Sequence, residues 1–205
     1  MELRDKNGLT EEQFLAQYTP GKYPRPSVTV DLAVLARRQG ALQALLVRRA
    51  GHPCLGLWAL PGGFAEPQET TQQAAVRELF EETHVQGLAL YPLPLVSTPG
   101  RYKRGWTMTQ PYAALLEGGA ACAQAGDDAA DARWFDVAVQ RREGRVQLML
   151  TGGGESLFAE CAVERTASPF GGQTVCTLVR QQGLAFDHGK ILCQAVEMLW
   201  ENDKG

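Results

Sequence analysis

A carboxylate-rich helix entered through a glycine turn limits this chain more than any other feature. Residues 70–83 contain neither glycine nor proline, and they follow the turn Leu60-Pro61-Gly62-Gly63 and the segment 64–69. Ala75, Val76 and Leu79 predict an apolar stripe, and so an amphipathic helix over Thr70–Thr83. On that helix Glu78, Glu81 and Glu82 stand at i, i+3 and i+4, so three carboxylates share one face. Like charges at that spacing each cost about 0.2–0.5 kcal/mol. A divalent cation removes the penalty, and an oxygen-only donor set selects Mg²⁺, or Mn²⁺, over zinc. The plainer alternative is a solvated glutamate-rich face. The fixed spacing of the whole segment favours the metal site, and so do the glycines, whose backbone a ligand can approach closely.

The rest of the chain supplies sheet and a second helix. Thr10-Glu11-Glu12-Gln13 is a capping box that predicts a short helix to about Tyr18, followed by a proline-rich linker. Ser27–Arg37 and Ala41–Arg49 predict two strands joined by a tight turn at Gln39-Gly40. Further strands are expected at Trp58–Leu60, Leu88–Val96, Thr107–Leu116 and Ala132–Val137, with a small-residue loop at Gly118–Ala130. Arg145–Leu150, Leu157–Arg165 and Thr174–Gln181 predict three more strands, separated by glycine clusters. The last helix is expected from His188 to Glu201, with Ile191, Leu192, Ala195, Val196 and Leu199 on one side.

Bulk properties exclude several classes. The 205 residues suit one ordinary domain with a small appendage. A net charge of -3 gives no basic footprint for nucleic acid. No apolar run approaches the ~20 residues of a membrane span, and the polar N-terminus is no signal peptide. Cys54, Cys122, Cys161, Cys176 and Cys193 are odd in number and show no C-x-x-C spacing. Reduced thiols and a cytoplasmic location are therefore expected.

Gly63, Glu69, Arg77, Glu78, Leu79, Glu81 and Glu82 together resemble the signature box of Nudix hydrolases. The resemblance implies an α/β fold: an α/β/α sandwich with a mixed sheet, plus a small antiparallel β insertion before the C-terminal helix. Its expected division is an N-terminal helix and linker at 1–26, a Nudix core at 27–137, the insertion at 138–182, and a C-terminal helix at 183–205 packing on the core. It implies Mg²⁺, with Mn²⁺ as the alternative, held by Glu78 and Glu82. Glu81 is a further ligand or a catalytic base, and the Gly63 carbonyl can add a ligand. Arg77 is expected to hold the loop through Glu69 and Glu81, and Leu79 to point into the core. Where the family box ends on a glycine, this chain has His84, and a left-handed helix end is expected there.

The flanks narrow the resemblance. Lys22–Asp31, Leu57–Phe64 and Leu184-Ala-Phe-Asp-His188 are similar to the group containing ADP-ribose pyrophosphatases and regulators of NAD metabolism. Those regulators carry a winged-helix domain after the last helix; none is expected here, and so no nucleic-acid partner. The implied activity is metal-dependent hydrolysis of a diphosphate linkage in a nucleoside diphosphate conjugate, with an ADP-ribose-like substrate. The alternatives are a house-cleaning nucleoside triphosphate pyrophosphohydrolase and a non-catalytic sensor of a nucleotide sugar. A homodimer is the expected assembly.

Where the subgroup often carries Arg-Asp-Pro-Arg, this chain has Arg101-Tyr-Lys-Arg104. Arg101 and Arg104 are expected to clamp phosphate or ribose-phosphate, since guanidinium groups bind it bidentately, the alternative being an ordinary basic loop. Arg48 or Arg49, at the end of a strand, contacts phosphate or stays solvated, and Trp58 is the candidate stacking ring for a base or else a core residue. Trp106 and Trp134 are alternative stacking rings or core residues. His52 and His188 are expected to be structural, and Asp127 and Asp128 to lie in a solvated turn.

Overall fold

The computed structural model describes residues 2–19, 21, 23–38, 40–117, 129–167, 169 and 172–203. The elements are α1 (Glu11–Gln17), β1 (Ser27–Arg38), β2 (Ala41–Arg49), β3 (Trp58–Ala59), α2 (Thr71–Thr83), β4 (Tyr91–Pro92), β5 (Thr107–Glu117), β6 (Ala129–Arg142), β7 (Arg145–Gly152), β8 (Glu155–Thr166), β9 (Gln173–Gln182) and α3 (His188–Asn202). Among the described residues they form one mixed sheet ordered β4-β5-β1-β2-β6-β7-β8-β9, with β3 added to β2. β1 and β5 run parallel, and the remaining pairs are antiparallel.

β1 is buried almost continuously from Val30 to Ala36. Such a run needs cover on both faces. Val30, Leu32 and Val34 pack toward α2 with Ala74, Ala75 and Leu79, while Ala33 and Leu35 join the larger cluster under α3. The helices therefore lie on opposite faces, which is the expected sandwich. β6 passes through residue 137 without a break, and β6 to β9 continue the core sheet as an antiparallel run.

Local chemistry sets the helix ends. Thr10 and Thr70 cap α1 and α2, each through a reciprocal box with the glutamine three residues on. α2 ends at His84 in the left-handed region (φ 58°, ψ 14°), whose N–H donates to the Phe80 carbonyl at 2.8 Å. Imidazole tolerates this conformation better than most side chains.

Three expectations change. Val76 is not in the stripe: it is 48% exposed, and the buried residues of α2 are Ala74, Ala75, Leu79 and Thr83. The ladder 75/79/83, at i+4 steps, is the face that meets the sheet. The Leu88–Val96 strand shrinks to Tyr91–Pro92 plus a bridge from Val96 to Thr109, because Pro92 and Pro94 offer no N–H to the ladder. The Ala132–Val137 strand lengthens to Ala129–Arg142. Asp127, Asp128 and the loop at 118–128 lie outside the described residues, as does Cys122; Cys54, Cys161, Cys176 and Cys193 are free thiols. Among the described residues no helix is long and apolar enough to cross a membrane.

Candidate functional site

The turn before α2 folds back onto β1. The Val30 N–H donates to the Gly63 carbonyl at 2.9 Å, and the Leu32 N–H to the Pro61 carbonyl at 2.8 Å. The approach excludes a side chain at 62 and crowds one at 63. A Cβ on Gly62 would lie 2.1 Å from the Val30 carbonyl oxygen, and one on Gly63 would lie 2.4 Å from a Glu78 carboxylate oxygen. A cleft of about 680 Å³ opens beside the turn.

The carboxylates divide into two groups. Glu78 and Glu82 line the cleft, while Glu69 and Glu81 lie off it on Arg77. Arg77 grips Glu69 with two bonds, at 2.6 and 3.2 Å. It also donates to Glu78 at 2.8 Å, Glu81 at 3.0 Å and the Phe64 carbonyl at 3.0 Å. One guanidinium thus ties the loop to α2.

Glu82 accepts the Gly62 N–H at 2.8 Å. Burial pushes its carboxyl up to about 8, with the neighbouring Glu78 adding to the rise and the Gly62 bond opposing it. Burial also raises Glu78, against the pull of Arg77. Arg77 pairs with Glu78, yet both half-buried carboxyls remain raised, so an added cation between them is favourable. Glu78, Glu82 and the second lone pair of the Gly63 carbonyl are a donor set of oxygen only, which fits Mg²⁺ or Mn²⁺ with water and substrate completing the shell. Among the described residues no three His, Cys, Asp or Glu side chains are already gathered as a cage.

The basic side of the cleft differs from a row of free arginines. Arg101 lines it, but its side chain is only 5% exposed. The guanidinium holds Asp187 with bonds of 2.6 and 3.1 Å and approaches Asp31 at 3.5 Å. Burial works against the Asp31 charge, yet His188 and Arg101 outweigh it and hold the carboxyl below its ordinary value. His188 places Nε2 3.3 Å from Asp31 and accepts the Leu60 N–H on Nδ1 at 2.8 Å. This buried network joins the loop at 101–104, β1 and the start of α3. Arg49 and Arg104 also line the cleft. Arg49 donates to the Pro53 carbonyl at 2.8 Å and lies 5.0 Å over the Phe186 ring. Arg104 lies 5.0 Å over the Tyr102 ring and bonds the Tyr102 hydroxyl.

Trp58 is a correction to the expected substrate contacts. It is 1% exposed, packs edge-on against Phe135 at 4.8 Å and donates to Glu155 at 3.0 Å. Its strand buries the ring beneath the cleft, so no base can reach it. Trp106 and Trp134 do not line the cleft either. Its aromatic residues are Phe64, Tyr102 and Phe186. Phe186 adopts φ +50°, a left-handed backbone that costs a bulky side chain about 1–3 kcal/mol. The sequence reading gives these rings, Asp31 and Asp187 no role of their own, although the segments that hold them are compared there with the subgroup. A lone aspartate in the apolar run of β1 is a signal for Asp31; nothing local marks the rings.

Known proteins resemble this chain in sequence and in fold. A family model described as NUDIX domain matches residues 25–147. The ADPR responsive transcriptional repressor NtrR of Acinetobacter baylyi is 39% identical over 112 residues, 54% of this chain and 45% of that protein. The ADP-ribose pyrophosphatase of Methanocaldococcus jannaschii is 36% identical over 115 residues, 56% of this chain and 64% of that protein. The matched region thus spans less than two thirds of either relative. A MutT/nudix family protein from Enterococcus faecalis superposes with a TM-score of 0.73 at 29% identity, covering 94% of this chain and 70% of that one. The NUDIX domain of Shewanella oneidensis NrtR, solved with ADP ribose, gives 0.57 at 36% identity, covering 62% and 82%. With the domain match covering more than half of its length, the chain belongs to the NUDIX family.

Proposed function

We propose that this chain hydrolyses the diphosphate linkage of a nucleoside diphosphate conjugate, with an ADP-ribose-like molecule as substrate and Mg²⁺ or Mn²⁺ as cofactor. The observation that carries the proposal is the pair Glu78 and Glu82, half-buried one helical turn apart and lining one cleft with Gly63. The relatives that act on or respond to ADP-ribose support the substrate class.

In this reading Glu78, Glu82 and the Gly63 carbonyl hold the cation. A bound divalent ion neutralises phosphate charge and lowers the pKa of water. Arg77 is the positioning residue, fixing Glu78 and the loop through Glu69. Glu81, 55% exposed and tied to Arg77, is a base only if it leaves that pair, so Glu78 and Glu82 stand nearer the chemistry. Arg49 and Arg104 meet the substrate phosphates. Arg101, committed to Asp187 and Asp31, fixes the loop that presents Arg104.

A second reading, an ADP-ribose sensor without turnover, is favoured by one observation. One relative, 39% identical over 54% of this chain, is an ADPR responsive transcriptional repressor. Product analysis separates the readings. The protein is incubated with Mg²⁺ and ADP-ribose, dinucleotides, nucleotide sugars or nucleoside triphosphates. Release of a nucleoside monophosphate from a conjugate supports the proposal. Pyrophosphate from triphosphates points to the house-cleaning activity instead, and tight binding without products to the sensor.

A further inference from the structure

β9 is the last strand of the sheet, so one side of its ladder has no neighbouring strand among the described residues. Such an edge presents N–H and C=O groups that another extended chain can pair with, and natural edges are blunted by shortness, proline or lysine. The opposite edge follows that rule: β4 is two residues long and includes Pro92. β9 does not. It runs for 10 residues, Gln173–Gln182, contains neither proline nor lysine, and exposes Val175 and Val179. We propose that the Gln194 side chain, reaching down from α3, plugs this edge and prevents β9 from pairing with the β9 of a second copy of the chain.

Three observations support the plug. First, the Gln194 amide makes the bonds that a neighbouring strand would make. Its oxygen accepts the Cys176 N–H at 2.9 Å, and its nitrogen donates to the Thr174 carbonyl at 2.7 Å. One amide bonded to a carbonyl and an N–H two residues apart repeats the pattern of a residue in a parallel strand. Both groups are spent on α3, so an incoming strand must first displace the amide.

Second, other devices close the rest of the edge. The β8–β9 register shifts between Glu160 and Cys161, which leaves Val179 as an extra residue and interrupts the ladder. Past the strand, the chain meets β3: the Trp58 N–H donates to the Gly183 carbonyl at 3.0 Å, and the Ala185 N–H to the Trp58 carbonyl at 2.7 Å. Gln181 fastens that corner. Its amide donates to the Phe186 carbonyl at 2.7 Å and the Leu184 carbonyl at 3.0 Å, and its oxygen accepts the Gly189 N–H at 3.1 Å. The stretch before Val179 is the part that depends on Gln194.

Third, the position calls for no amide on packing grounds. Gln194 is half-buried, and its neighbours on α3, Cys193, Ala195 and Val196, are buried among apolar residues. A leucine would suit the helix as well. What the glutamine adds is the pair of bonds to β9. Identical edges left open would be self-complementary about a two-fold axis, which makes a second copy the partner that the plug excludes.

The test compares the native full chain, Gln194→Leu, and Gln194→Leu combined with Val175→Lys. Val175 pairs with Glu164 across the ladder, so lysine there gains an ion pair while setting a charge against an incoming strand. Sedimentation velocity over a range of concentrations gives the mass, and infrared spectra report intermolecular β-sheet. Gln194→Leu is expected to raise the mean mass to at least about twice the native value and to add an intermolecular β-sheet band. Val175→Lys is expected to return both to native. An unchanged mass in Gln194→Leu overturns the plug. So does a larger mass that Val175→Lys leaves in place, since association then runs through another surface. Gln194→Glu keeps the acceptor for the Cys176 N–H and loses the donor to Thr174. If the leucine variant does not fold, Gln194→Glu takes its place, with and without Val175→Lys, and the same outcomes decide.

Discussion

Arg77 holds Glu69 by two hydrogen bonds, at 2.6 and 3.2 Å, across the glycine loop and the first turns of α2. The same guanidinium reaches Glu78 and Glu81. Lysine offers one compact ammonium in place of this planar fork. Arg77→Lys is expected to lower stability by about 1–3 kcal/mol and turnover by roughly 10-fold or more. Thermal melts beside steady-state kinetics check it; a native melt with native kinetics contradicts the hub role.

The two glycines of the turn predict different failures. Alanine at Gly62 meets backbone, at Val30, and must also sit at φ +151°, so the turn itself moves. Alanine at Gly63 meets only the Glu78 carboxylate, which can rotate away. Gly62→Ala is expected to lower the melting temperature more than Gly63→Ala. Gly63→Ala keeps the fold but weakens Mg²⁺ binding, read as a rise of about 10-fold or more in the Mg²⁺ concentration for half-maximal activity.

Arg101 is buried between two carboxylates, and removing it takes the guanidinium from Asp187 and leaves Asp31 with His188 alone. Breaking such a pair costs about 3–5 kcal/mol. Arg101→Ala should therefore unfold in markedly less urea than Arg104→Ala, whose residue lies on the surface of the cleft. Equal urea midpoints contradict the lock.

On the far strands, Glu160 accepts from Arg180 at 2.6 Å and Arg145 at 2.8 Å. These bonds, that of Arg180 first, lower its carboxyl from 4.5 to about 2. The folded pKa lies below the unfolded one, so the contribution to stability is present above about pH 4.5 and is lost as pH falls toward 2. Glu160→Gln is expected to melt below the native protein at pH 7, with the gap narrowing below pH 4.5 and closing only as pH approaches 2. A gap that stays constant contradicts the pairing.

Much of this molecule is legible locally. The capping boxes at Thr10 and Thr70, the helical spacing of Glu78, Glu81 and Glu82, and the strand periodicity of Ser27–Arg49 depend on neighbours in sequence, and the structure keeps them. What was not legible depends on distant neighbours. The partners of Arg101 lie 70 and 86 residues away, so a basic loop reads as a free anion clamp until the fold closes on it. Trp58 and Tyr102 are both aromatic residues near glycines. Only packing against Phe135 sends one to the core, and only the anchored loop leaves the other in the cleft. Phe186 carries no local mark because its conformation is imposed by Gln181.

The most direct measurement is ³¹P NMR of ADP-ribose with Mg²⁺ and either native protein or Glu82→Gln. The amide retains an acceptor for the Gly62 N–H, so the variant should fold, as its melting curve will report. The account predicts conversion of the diphosphate signals to two phosphomonoesters by the native protein, slowed by about 100-fold or more in the variant. Equal rates in both proteins, or an intact diphosphate in the presence of a tightly binding native protein, would contradict it.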